Sequence, residues 1–161
     1  MSGAWTYNEK EFLPKHIPEG AEGFVYLMKA TIDGRERLYI GKKNFHSKRN
    51  VKKGKRELEA MTDKRGSKKK KVIKLSYENY FSSSEALSLA HKSGIHIERI
   101  ILHICNTKRE LTYQEARYMF KNNVLENDIY LNNSILSKFF RVQLEINNPK
   151  NNNNVNTEET V

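Results

Sequence analysis

Tyr26 and Tyr39 are the residues whose type and spacing first suggest chemistry in this chain. A phenol can donate a hydrogen bond to a phosphate oxygen or, once deprotonated, take a proton from water. Its free pKa is about 10, so a base role near neutral pH needs a cation beside it. Two short apolar runs flank Asp33-Gly34, and Asp-Gly is a strong two-residue hairpin turn because both positions accept positive φ. Folded about that turn, Ile32 lies opposite Arg35, Met28 opposite Tyr39 and Tyr26 opposite Gly41. Strand alternation then puts Val25, Leu27, Leu38 and Ile40 on one face and both tyrosines on the other, as diagonal neighbours. The aliphatic face reads as core and the tyrosine face as a site. A slip of one residue would expose Val25 and Leu27, so the pattern itself argues for this register. Gly41 leaves space beside the Tyr26 ring, and strand parity places Lys43 on the tyrosine face.

Charge points to a partner. Residues 42–74 hold 15 Lys/Arg against three acidic residues, a net of +12, while the rest of the chain has 14 basic and 16 acidic residues, a net of −2. One segment therefore supplies the whole +10 of the chain. Lys42, Lys43, Lys48, Lys52 and Lys53, with the run Lys68, Lys69, Lys70 and Lys71, form the footprint expected for a nucleic-acid backbone, DNA in the first instance. A solvated basic loop without a specific ligand is the plainer alternative.

With 161 residues the chain is one domain with a real but modest core. No apolar run approaches the roughly 20 residues of a membrane span, and the N-terminus lacks a secretory pattern. Cys105 stands alone, which excludes both a disulfide framework and a Cys-based zinc site; it reads as a small buried residue. The expected setting is reducing and cytoplasmic. His16, His46, His91, His96 and His103 show no metal-ligand spacing, and only His46 lies near the hairpin.

Residues 1–21, the first of the elements that must position these groups, form an arm without clear period, interrupted by Pro14 and Pro18. The hairpin occupies about 23–31 and 36–43. Lys48 to Met61 is expected as a basic helix broken at Gly54, and Thr62 to Lys71 as a mobile loop. Tyr77 to Phe81 is an aromatic cluster, more often core than a base-stacking surface. Ser84 caps a helix through about His91 that Gly94 ends. Ile95 to Cys105 is apolar on both parities, like a central strand covered on both faces. A second helix runs from Thr112 to about Leu125. Ile129 to Leu136 is an extended or turn segment, and Phe139 to Ile146 a last amphipathic piece. The Asn-rich tail, residues 147–161, is expected to be disordered.

Phe24-Val25-Tyr26 with Tyr39-Ile40-Gly41 resembles the two-part signature of the GIY-YIG nucleases, Phe24 standing where the first glycine is expected. Tyr39-Ile40-Gly41-Lys42-Lys43-Asn44-Phe45 is similar to the phage Seg-type homing endonuclease branch of that superfamily. The resemblance implies an α/β fold, a small three-stranded antiparallel sheet flanked by helices, over residues 22–146 with a basic insertion at 44–74. It implies hydrolysis of DNA phosphodiesters with Mg²⁺ or Mn²⁺. Tyr26 would be the general base, Tyr39 would bond the phosphate or attacking water, and Arg49, eight residues past Gly41 and on a helix, would neutralise phosphoryl oxygens. Within Leu111-Thr112-Tyr113-Gln114-Glu115-Ala116, Glu115 would hold the metal. Asn132, with Asn133 as neighbour alternative, would orient the glutamate or a site water. Lys42 matches the family position for lowering the Tyr26 pKa. Ser82 stands where the Seg-type proteins carry a glycine. Two plainer readings stay open: Thr112-x-x-Glu115 is also a capping box, and a turn asparagine is ordinary. The alternative function is a catalytically inactive DNA- or RNA-binding protein on the same fold.

Overall fold

Two ten-residue strands on either side of Asp33-Gly34 form the longest hairpin of the fold, closed by Asp33 at φ 52° and Gly34 at φ 73°. The computed structural model describes residues 3–63 and 65–141. In chain order they form β1 (Trp5–Tyr7), β2 (Lys10–Glu11), β3 (Gly23–Ile32), β4 (Arg35–Asn44) and β5 (His46–Lys52). Then come α1 (Lys55–Glu59), β6 (Lys69–Leu75), α2 (Glu85–Lys92), β7 (Ile97–Cys105), α3 (Lys108–Lys121), β8 (Ser134–Ile135) and β9 (Phe139–Phe140). The main sheet has five strands in the order β2-β1-β7-β3-β4. The expected three are present as its β7-β3-β4 half, antiparallel throughout.

The two further strands come from the N-terminal segment. β1 pairs parallel with β7 and buries Trp5 to 2% exposure, its indole N–H donating to Tyr77 O at 3.0 Å. A three-residue strand is too short to show a period, which is why it reads as an arm. Phe24 fills a site between Trp5, Phe45 and Tyr77, with ring centroids 4.9, 5.0 and 5.8 Å away. An aromatic core of this kind uses a phenylalanine where the signature carries glycine.

The hairpin register is the expected one, with Met28 paired to Tyr39 and Tyr26 to Gly41. Both faces turn out to be core. Val25, Leu38 and Ile40 pack with Leu111, Met119 and Val124 beneath α3. Phe24, Tyr26 and Met28 pack with Trp5, Phe45, Tyr77 and Leu87 on the α2 side. β7 serves both layers through a break in register against β3: Val25 pairs with His103 but Tyr26 pairs with Ile101. A bulge adds one residue and flips the phase of the strand beyond it. Ile97 and Ile101 therefore join the aromatic core, whereas Cys105 joins the layer beneath α3.

Local expectations fail in the basic segment. Of Lys48 to Met61, expected as a helix broken at Gly54, only Lys55–Glu59 just past that glycine is helical, while His46–Lys52 pairs antiparallel with Lys69–Leu75 as a separate two-stranded ribbon. The lysine run is thus partly strand rather than loop. Val51 opposite Lys70 and Arg49 opposite Val72 supply the β-branched residues that favour pairing. α2 starts after Ser84 as expected, with Gly94 at φ 82° beyond its end. α3 begins earlier than expected, because Thr107 accepts from Glu110 N and caps it. Expectations for residues 142–161 fall outside the described residues. No helix among the described residues is long and apolar enough to cross a membrane.

Candidate active site

β4 is an edge strand, and a cleft of about 1190 Å³ runs along that edge. This exceeds the ~300–1,000 Å³ of small-molecule pockets and suits a polymer segment better. Because the cleft wraps an edge, it draws side chains from both faces of the sheet. Tyr39 and Ser83 reach it from the α2 side, and Lys42, Thr112 and Glu115 from the α3 side.

On the α2 side the two tyrosine hydroxyls have different partners. The rings of Tyr26 and Tyr39 share a face with centroids 6.3 Å apart. Tyr39 bonds Ser83 Oγ at 2.9 Å and lines the cleft. Tyr26 is fully buried, with its hydroxyl 3.1 Å from that of Tyr80. A Cβ built on Gly41 would lie 2.5 Å from the Tyr26 hydroxyl, so only glycine admits the ring there. Burial, then the Tyr80 and Tyr39 phenols, push Tyr26 far above the ordinary tyrosine value. Tyr26 does not line the cleft, and its hydroxyl faces Tyr80 rather than the space where a water would be activated. Tyr39 is also held up, chiefly by burial and further by Tyr80 and Glu115, while the Ser83 hydrogen bond pulls it down.

The two lysines lie on opposite faces of β4. Lys43 lies 4.5 Å over the Tyr80 ring, and Lys42 points to the opposite face, as its parity with Leu38 and Ile40 requires. There Lys42 Nζ is 3.0 Å from Glu115 Oε2 and donates to Thr112 Oγ1 at 3.0 Å. Glu115 lies inside α3, well past the Thr107 cap, so the capping-box reading of Thr112-x-x-Glu115 is overturned. Its side chain is 16% exposed. Glu115 Oε2 is already paired with the Lys42 ammonium, so a hard divalent cation, which takes such oxygens together with water and phosphate, has to displace that ammonium.

Asn132 is 2% exposed and occupied otherwise than expected. Its Oδ1 accepts from Ile40 N at 3.1 Å and its Nδ2 donates to Ile40 O at 2.7 Å. Leu38 N donates to Ile129 O at 2.8 Å and Leu131 N to Leu38 O at 2.7 Å. The amide thus adds one more rung to a peptide-like edge pairing and holds β4 between Tyr39 and Gly41. It orients backbone, not Glu115. Arg141 in turn donates to Tyr130 O and Asn132 O at 3.0 and 3.1 Å, fastening this segment.

Arg49 is not on a helix and does not line the cleft. It lies exposed on β5 opposite Val72. Lys48, Lys52, Lys69, Lys70 and Lys71 stand on the same ribbon, which Lys53 N to Lys68 O closes at 2.8 Å. Lys48 is 3.8 Å from Glu22, and Lys70 pairs with Glu57 of α1.

Two groups escape sequence reasoning. Ser83 and Tyr80, which bond the two tyrosines, come from the segment that closes the aromatic cluster and leads into α2. That segment is positioned by Arg99, 6% exposed, which donates to Glu78 O and Tyr80 O at 2.7 and 3.1 Å and lies 4.2 Å over the Phe81 ring. Ser82, at the expected glycine position, adopts φ 73°, so the backbone there keeps a glycine-like turn. A serine triplet ahead of a helix cap is the available signal.

No curated protein and no solved structure matches the chain significantly. A family profile does, that of "Putative endonuclease segE, GIY-YIG domain", over residues 5–135. That span includes β1, both halves of the tyrosine signature, Glu115 and Asn132, and so the chain belongs to the SegE-type GIY-YIG nuclease domain family.

Proposed function

We propose that the protein is a divalent-metal-dependent endonuclease that hydrolyses DNA phosphodiester bonds in the cleft along β4. The observation that carries this reading is the convergence of the Tyr39 hydroxyl and the Lys42–Glu115 pair on one open cleft of a nuclease-family domain. Tyr39, kept protonated, donates to a phosphate oxygen or to the attacking water, with Ser83 fixing the direction of its hydroxyl. Lys42 neutralises phosphoryl charge. Glu115 would hold Mg²⁺ or Mn²⁺ once Lys42 turns from it to the phosphate, and such an ion would supply charge stabilisation at the leaving oxygen. Tyr26 acts from inside the sheet: through Gly41 and Tyr80 it sets where the edge strand and Tyr39 lie. Arg49 and the ribbon lysines take the flanking DNA backbone.

The test is plasmid cleavage by the purified chain with Mg²⁺, with Mn²⁺ and with EDTA. Cleavage should require the metal, and Tyr39→Phe should lower its rate by about 10²-fold or more at near-normal DNA affinity. Glu115→Gln should abolish cleavage while the fold survives. The buried Tyr26 hydroxyl favours one competing reading, a DNA-binding protein that has lost activity. Tight DNA binding without metal-dependent nicking would establish it.

A further inference from the structure

The break in register on β7 has placed three metal-ligating side chains together on the far side of α3. His103 and Cys105 fall on the face beneath α3, and Glu110 descends from the first turn of that helix. One ligand atom from each lies within 4.8 Å of the others. His103 Nε2 and Glu110 Oε1 are 3.7 Å apart, beyond hydrogen-bond length. Ligands at 2.0–2.3 Å from a tetrahedral zinc lie about 3.3–3.8 Å from one another, so the His–Glu separation already fits and the cluster needs to close by about 1 Å. The second carboxylate oxygen of Glu110 accepts from Asn106 N at 2.9 Å, which orients the group as outer partners of metal ligands do. His103 and Glu110 are half-exposed, 36% and 37%, giving an ion a way in, whereas Cys105 is buried.

We propose that His103, Cys105 and Glu110 bind a zinc ion, with water in the fourth position, and that the ion staples the start of α3 to the end of β7. The ligand set is nitrogen, sulfur and oxygen, which zinc accepts and magnesium does not. Coordination releases the thiol proton to solvent. The proposal runs against the sequence expectation that a lone cysteine leaves no Cys-based zinc site. His103-x-Cys105 has strand spacing, and the third ligand becomes visible only when α3 folds over β7. The site is separate from the cleft: Glu110 and Glu115 are five residues apart, about 140° around the helix. It does not depend on the nuclease reading.

The test is metal binding by the full-length chain after chelator treatment. Zn²⁺ should bind at one ion per chain and, at about 100-fold over its Kd, raise Tm by roughly 5–10 °C. Co²⁺ should give visible bands and a near-ultraviolet thiolate-to-metal band. Cys105→Ser should abolish the latter, and Glu110→Gln should weaken Zn²⁺ by at least the roughly 10–100-fold that outer partners cost. Buried Cys105 can fail to fold as serine, so the surface variant Glu110→Gln decides: undiminished affinity there overturns the proposal. Absence of a stoichiometric ion, or loss of it in Glu115→Gln instead, overturns it as well.

Discussion

Replacing Asn132 by alanine separates an edge clamp from a catalytic amide. The side chain makes two hydrogen bonds, at 3.1 and 2.7 Å, to the N–H and C=O of Ile40, and is 2% exposed. Truncation leaves both backbone groups without their partner, at about 1–3 kcal/mol each, or about 2–6 kcal/mol together. The adjoining cleft admits water, which recovers part of that, so the lower half of the range is expected. A loss of about 2–4 kcal/mol is large against a total stability of about 5–15 kcal/mol. It should lower Tm by roughly 5–15 °C in a chain of this size. Asn132→Asp should be no better, since it keeps the acceptor for Ile40 N but opposes a carboxylate to Ile40 O. Calorimetry and urea unfolding measure the loss, and cleavage assayed well below the lowered Tm shows how far Tyr39 has shifted. A variant that melts within about 1 °C of the parent yet cannot cleave would refute this reasoning and return Asn132 to the chemistry.

The ribbon and the buried phenols give two further tests. Lys69 and Lys71 share one face of the ribbon with Lys52 and Asn50, so changing both to glutamine should lower the slope of log K against log salt by about 1.8 with turnover at saturating DNA retained; an unchanged slope would mean that this face does not meet DNA. Tyr77 is pushed up to about 12 by burial, and Tyr26 further, whereas unfolded tyrosines titrate near 10. From about pH 10 to 12 the unfolded chain therefore holds fewer protons than the native one, and stability must fall as pH rises through that window. Absorbance at 295 nm should show these phenols ionising together with unfolding, and independent early titration of all eight tyrosines would contradict the burial.

The hairpin is legible because three signals agree on it: the Asp-Gly turn, the aliphatic parity of Val25, Leu38 and Ile40, and the tyrosine pair. Family position directs Lys42 toward Tyr26, although its parity already points to the α3 face, where Glu115 lies. Trp5–Tyr7 is invisible to local pattern because its partner, β7, lies more than ninety residues away. Arg49 is misplaced for a different reason. In a segment this rich in lysine, helix and strand propensities differ by less than the cross-strand pairings of Val51 with Lys70 and Val72 with Arg49 supply. The occupied state of Asn132 depends on which backbone groups the edge leaves unpaired, a property of topology rather than of local pattern.

β4 passes into β5 through a single residue, Phe45, which is fully buried and held by Phe45 N to Glu22 O at 3.2 Å and Ser76 N to Phe45 O at 2.9 Å. The ribbon is therefore a lever with a fixed fulcrum, continuous with the strand that carries Tyr39 and Lys42. At about 3.3 Å per residue, Lys42 to Lys52 spans at most about 33 Å of extended chain. Duplex DNA rises about 3.4 Å per base pair, so that arm covers about ten pairs, close to one helical turn. On the proposed reading, the cut is set at a fixed distance from the Phe45 fulcrum and not from the far end of the ribbon. Cleavage mapped against a footprint should keep a constant offset within one turn, and lengthening the ribbon should leave that offset unchanged while widening the footprint, because the fulcrum has not moved.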